Sequence, residues 1–304
     1  MNSIQIIICI SWAVAAAGIA WYTAYIASQI TYVTLADGRL QERKVPLLFR
    51  MFMPLAPNLT PLLNRPLFSK LKEASDKKLV AAGYETILTG SELLALQILL
   101  PIIMGLIWIL FIKLAIIASH NPALLKIEST LYITGPLLFF IYPQVWLKDQ
   151  LKKRHRSIQR SLPFVLDLLT LSVEAGMDFM SALQRNVERS LLDPLSEELL
   201  RVIREIQLGK TRKDALRTMS RRVNLQDLRS VVNALVQADE LGVSIGAILR
   251  IQSDQIRQRR FERAEKLANE APTKLLFPLM IFIFPSVFLV LMGPIIAQML
   301  RQGF

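Results

Sequence analysis

Four stretches of this chain are longer and more apolar than a helix packed in a water-soluble core needs to be. Residues 4–26 carry no charged side chain, 93–117 carry only Lys113, and 129–147 and 275–299 carry none. A helix crossing the hydrocarbon core needs about 20 predominantly apolar residues. Lys113 stands near the end of its stretch, where its stem can reach the interface. The chain is therefore predicted to be an all-α membrane protein with four transmembrane helices. Residues 4–26 could instead be a secretory signal, because Ala13-Val14-Ala15 resembles a cleavage site. Such a signal opens with basic residues, and none precedes residue 39, so an uncleaved span is the reading taken.

Charge then orients the spans. The 304 residues hold 36 Lys and Arg against 24 Asp and Glu, a net charge of +12 that suits either a nucleic-acid binder or a membrane protein with a basic side. Of the basic residues, 9 lie in 39–92 and 24 in 148–274. The positive-inside rule puts both segments in the cytoplasm and both termini on the outer side, which uses up the basic excess and leaves no call on nucleic acid as a partner. The expected division is 1–38 (first span and flank), 39–92 (small basic cytoplasmic segment), 93–147 (transmembrane hairpin), 148–274 (cytoplasmic helical domain) and 275–304 (last span and tail).

Within the spans, Ala16, Ala20, Ala24 and Ser28 form a small-residue stripe suited to close helix packing, although alanine is common enough to produce one. Pro278, Pro285 and Pro294 are expected to kink the last span, as Pro101, Pro136 and Pro143 do the others. The span cores carry no Asp or Glu. That argues against a proton- or ion-coupled transporter.

The soluble segment repeats. GMDFMSAL (176–183), GKTRKDAL (209–216) and GVSIGAIL (242–249) share a leading glycine and an eighth-position leucine, and their glycines are 33 residues apart. Gly176, Gly209 and Gly242 are expected to end helices in the left-handed conformation, with Asp178, Thr211 and Ser244 capping the helices that follow. Asp193-Pro194 and Asn224 supply the intervening caps. Six helices result, near 161–175, 178–192, 194–208, 211–222, 225–241 and 244–270. They suit a compact bundle better than a tetratricopeptide-like solenoid, which wants more units and an aromatic consensus. The basic run 148–156 reads as lipid-headgroup contact.

Chemistry is sparse. One cysteine, Cys9, and two distant histidines, His120 and His155, exclude a disulfide framework and a zinc cluster. Gly209-Lys210-Thr211 ends like a phosphate loop, but Arg204 stands where the first glycine belongs. Asn58-Leu59-Thr60 matches a glycosylation acceptor on the wrong side. Glu197-Glu198 and Asp239-Glu240 read as solvated faces of basic helices. No catalytic residue, cofactor site or metal site emerges, and the chain is not expected to be an enzyme.

The stretches SLPFVLDLLTLSVEAGMDFMSAL, ELGVSIGAILRIQSDQIRQRRFERAEKLANEAPTKLLFP and FIFPSVFLVLMGP resemble the type II secretion system F domain, most closely the TadC platform proteins of tight-adherence (Flp) pilus systems. The match covers about 160–297, and KLVAAGYETILTGSELL resembles the upstream segment more loosely. The resemblance implies a bacterial inner-membrane platform for a type IV pilus. Its implied partners are a hexameric secretion ATPase, a second platform protein or another copy of the chain, and pilin subunits. A single bundle domain is visible where related platforms carry two. Arg257, Arg259, Arg260 and Arg263 are the expected partner contacts, because arginine forks pair with carboxylates. A membrane-anchored helical adaptor without a pilus role is the competing reading.

Overall fold

The computed structural model describes residues 32–34, 40–42, 45–63, 66–119, 122–189 and 193–302. The expected first span and its small-residue stripe lie outside these residues. Strand β1 (Tyr32–Thr34) pairs antiparallel with β2 (Leu40–Glu42), Val33 opposite Gln41. The rest of the described chain is helical.

Helices α1 (Leu47–Phe52), α2 (Ala56–Leu63) and α3 (Ser69–Ala82) precede the long helix α4 (Gly90–Ser119). The start of α4 is fixed by a capping box: Thr89 Oγ1 accepts from the Glu92 N–H at 3.3 Å, and Glu92 accepts from the Thr89 N–H at 2.8 Å. Helix α5 (Pro122–Glu174) returns beside it. The two backbones approach closely at glycines. A Cβ on Gly135 would collide with the Trp108 ring, and one on Gly105 would come within 3.0 Å of Pro136. The Trp108 indole donates to the Leu131 carbonyl at 3.0 Å, one turn before Pro136. At the other end of this hairpin Phe49 packs edge-on against Tyr142 and Trp146, with ring centroids 5.7 and 4.9 Å apart. Each such pair adds about 0.5–1.5 kcal/mol beyond its burial.

Helix α5 is 53 residues long, about 80 Å at the standard rise. The sequence suggested a span, a basic linker and a separate bundle helix; the structure joins all three, with Pro136, Pro143 and Pro163 inside one helix. The lower part of α5 then packs with α6 (Phe179–Arg189), α7 (Pro194–Gln207), α8 (Arg212–Val223), α9 (Gln226–Leu241) and the start of α10 (Ile245–Pro278). Ile158, Leu183, Leu195, Val202, Met219 and Leu249 are fully or almost fully buried in their shared core. Burying each such side chain stabilises by about 1.5–3 kcal/mol.

The turns follow the repeat. Gly176, Gly209 and Gly242 take φ of 90°, 97° and 66°. The Met177, Lys210 and Val243 N–H groups each bond back five residues, closing the preceding helix. Asp178 and Thr211 cap α6 and α8 through their side chains. Two caps differ from expectation. Ser244 holds the N-cap position of α10 without a side-chain hydrogen bond. Asn224 closes α8 in the left-handed conformation rather than opening α9, whose N-cap is Leu225.

The three glycine turns gather at one end of the bundle. Phe179, Arg212, Lys213, Asp239 and Ile245, all next to those turns, line one small space there, and the Arg212 guanidinium sits 5.8 Å from the Phe179 ring centroid. From that end α10 runs back along α5 and passes through a π-helical turn (Leu279–Ile283) into α11 (Phe284–Gln302). Pro278 stands just before that turn, with Pro285 and Pro294 inside α11. Widened hydrogen bonding of this kind is one way a helix absorbs the missing proline donors. Three segments are long and apolar enough to cross a membrane: Gly90–Lys113, one within Glu128–Glu174 and one within Ile245–Met299.

Candidate functional site

The end of the bundle opposite the glycine turns is where α5 and α10 are fastened to it. Arg154, on the basic run of α5, is buried. It donates to Glu197 at 3.0 Å and to Glu198 at 2.8 Å, both in the first turn of α7. Asp193 accepts the Ser196 N–H at 2.7 Å and Pro194 opens the helix, which together hold that turn in place. Glu198 also accepts from Arg222 Nε at 2.7 Å, and Arg222 reaches on to Glu205 at 2.9 Å. Glu205 receives Lys210 at 2.7 Å. The result is an alternating chain of charge from α5 through α7 and α8 to a glycine turn. Burial works against the Glu205 carboxylate, but hydrogen bonds from Lys210 and Arg222, and their charges, hold its pKa below the usual range. Burial lowers the Arg222 pKa, while Glu198 and Glu205 more than offset that and raise it. Arg154 Nε and Arg222 Nη2 are buried without a hydrogen-bond partner among the described residues.

This geometry corrects two sequence expectations. Glu197 and Glu198 are not a solvated face; Glu198 is 1% exposed. Arg154 does not meet headgroups, because its place on the helix turns it into the bundle. The 239–240 pair does match its expected character: both residues are partly exposed, within 4.0 Å of Lys213, and Arg217 reaches Glu240 at 3.1 Å.

A second joint centres on Asp227 in the first turn of α9. Its buried carboxylate accepts from Gln159 on α5 at 3.2 Å and from Arg259 at 3.4 Å. Arg263 donates to both of its oxygens, at 2.9 and 2.7 Å. Further along, Asp167 on α5 accepts from Ser253 and Arg257 of α10. Of the four arginines expected to meet a partner, Arg257, Arg259 and Arg263 therefore pair within the chain and pin α10 to α5 and α9. Arg260 is exposed and forms no ion pair with the described residues.

The remaining candidates take structural places. Lys210 binds Glu205 and Thr218 rather than an anion, and His155 contacts the Val223 carbonyl at 2.8 Å. His120 lies outside the described residues. No cluster of three metal-ligating side chains occurs among the described residues. Glu85, in the turn before α4, pairs with Arg201 on α7 and ties the segment before α4 to the bundle. Sequence reasoning missed Arg154, Arg222, Asp227, Asp167 and this link.

No curated protein and no solved structure matches this chain. Residues 165–293 match the family of type II secretion system protein F. That stretch runs from the lower part of α5 through the helical repeats and both charged joints into the last apolar span. The family comprises membrane platform proteins of type II secretion and type IV pilus-type machines. The chain carries a type II secretion system F domain, built here on membrane-length helices.

Proposed function

We propose that this chain is the inner-membrane platform of a tight-adherence type pilus machine, with its bundle in the cytoplasm and its termini on the outer side. A hexameric secretion ATPase acts on the bundle, and the movement reaches pilin through the spans. The observation that carries this reading is the continuity of α5 and α10 with apolar spans, each pinned to the bundle by buried charge. Displacing the bundle must then displace both spans. The protein acts mechanically rather than as an enzyme, and the domain division 1–38, 39–92, 93–147, 148–274 and 275–304 follows from it.

The ATPase has a natural landing place at the glycine-turn end, farthest along the bundle from the spans. Leu208 and Leu241 stand exposed there beside Arg212 and Lys213. Full-length chain expressed with its cognate ATPase should draw that ATPase to membranes, and Leu208→Asp with Leu241→Asp should release it. Deleting the gene should abolish surface pili at normal pilin levels. Retained pili, or an ATPase indifferent to the full-length chain, would overturn the reading.

A further inference from the structure

Helices α1 and α2 are too short to cross a membrane, yet they pack against helices long and apolar enough to do so. Phe49 and Phe52 of α1 share one apolar core with Leu93, Leu96 and Leu100 of α4, and Ala56 and Leu63 of α2 share another with Leu94 and Ala95. All of these α4 residues belong to the apolar segment Gly90–Lys113. On α5 the Phe49 ring meets Tyr142 and Trp146, near the end of the 129–147 span, where such aromatic side chains settle at the boundary between membrane and water. Helix α3 passes the same level. Its Asp76 carboxylate accepts the N–H of Gly90, the first residue of α4, and a Cβ on Gly90 would come within 2.7 Å of the Lys72 carbonyl oxygen.

The outer side of these elements is apolar and open. Leu47 is 71% exposed, Leu55 44% and Leu71 56%. Because the inner side covers residues of the spans themselves, the outer side stands at the depth of lipid, and acyl chains rather than water surround these leucines. The charge agrees with that placement. From 43 to 72 the sequence holds six Lys and Arg and no Asp or Glu, whereas 148–274 sets 24 against 17. Basic side chains without acids among them fit the anionic surface of the cytoplasmic leaflet, and apolar insertion combined with basic charge is what stable attachment to that surface requires.

We propose that helices α1 and α2 with the start of α3 form an interfacial foot that lies in the cytoplasmic leaflet and binds anionic phospholipid. Leu47, Leu55 and Leu71 enter the acyl boundary, and the exposed Lys70 meets headgroup phosphates. The foot is also fastened to the bundle: Glu85 pairs with Arg201, and α3 lies against α8. Its seat on the lipid surface therefore fixes how the bundle stands relative to the α4–α5 hairpin. The inference takes from the platform reading only the insertion of that hairpin and the side of the membrane.

The test uses full-length chain with Cys9→Ser, purified and reconstituted into vesicles of phosphatidylcholine, alone or in equal parts with phosphatidylglycerol, and carrying a bimane label on single cysteines. Lipids brominated on their acyl chains should quench the label at Leu47→Cys and Leu55→Cys, as at Ile107→Cys on the exposed side of α4. They should leave it bright at Leu208→Cys at the glycine-turn end. At Leu71→Cys, brominated phosphatidylglycerol should quench more strongly than brominated phosphatidylcholine at equal content, and Lys70→Gln should cut that preference about fivefold, the effect of one lysine near an anionic surface. Labels at 47 and 55 that stay in water while 107 is quenched would overturn the proposal and leave these leucines to a protein partner. Equal quenching by the two lipids, or a preference indifferent to Lys70→Gln, would overturn it too. An unquenched label at 107 would mean that the hairpin is not inserted, and takes the platform reading down with the foot.

Discussion

Arg263 of α10 donates to both carboxylate oxygens of Asp227 at the start of α9, at 2.9 and 2.7 Å. Asp227 is 5% exposed, while the arginine side chain remains half in water. The acid therefore bears the cost of burial and depends on its donors, whereas the arginine has water as an alternative. Losing the acid releases the helix; losing one arginine strands a buried charge that still has Gln159 and Arg259 beside it.

Asp227→Ala should cost about 1–3 kcal/mol, the range for removing charged hydrogen bonds whose donors can rehydrate. Its signature is local. Amide exchange over 257–270 should rise well before global unfolding, and unchanged exchange there would show that Asp227 does not hold α10.

Glu198→Ala leaves Arg154 and Arg222 in the bundle with one acidic partner each, Glu197 and Glu205. Breaking a buried pair from one side costs about 3–5 kcal/mol. Adding Arg154→Met should recover part of this, with a coupling of about 0.5–3 kcal/mol in a double-mutant cycle on detergent-solubilised full-length chain. Strict additivity would mean that the contact carries no energy.

Acid should act on the same chain of charge. The Glu205 pKa is lowered from 4.5 in the folded protein by Lys210 and Arg222, against the opposing effect of burial. A lowered folded pKa gives stability that is present above the unfolded value and lost as pH falls through the folded one. Melting temperature should therefore drop below about pH 4.5, and Glu205→Gln should flatten that limb while lowering the plateau near neutrality. An unchanged acid limb in the variant would count against this.

Glycines should separate by mechanism. Gly209→Ala meets nothing within 4 Å, but it forces an alanine to φ 97°, at a cost of about 1–2 kcal/mol. Gly135→Ala drives a methyl into Trp108 and should disrupt the α4–α5 hairpin, while Gly105→Ala, 3.0 Å from Pro136, should be milder. Thermal stability of the full-length chain in detergent ranks the two hairpin variants, and equal effects would refute the packing account.

The 33-residue spacing of three glycines made the hairpins legible, because a left-handed turn leaves a residue-level mark. The helix limits followed to within a few residues, apart from the two ends of the series. The charges at 148–156 suggested a linker between the span and the bundle, yet a helix buried on one side keeps its course through them and on through Pro163. Likewise, the helix expected at 244–270 runs on through Pro272 to Pro278. The joints were harder to see. Glu198 is three residues from Leu195 and four from Val202, and Asp227 is four from Val231, so each sits on an apolar stripe. That spacing was the available signal. What hides them is that their partners lie far off in sequence: Arg154 is 44 positions from Glu198, and Arg263 is 36 from Asp227. The close approach of Gly135 to Trp108 was hidden for the same reason.

The antiparallel seating of α5 and α10 has a mechanical consequence. Both are stiff rods, one descending into the bundle and one climbing out, tied together at Asp167 and through Asp227. On the function proposed above, a sideways load on the glycine-turn end is expected to shear one rod against the other, so that one rises while its neighbour sinks. A lateral push on the bundle then becomes opposed axial strokes of the two spans, and the ionic ties set how much slip those strokes allow.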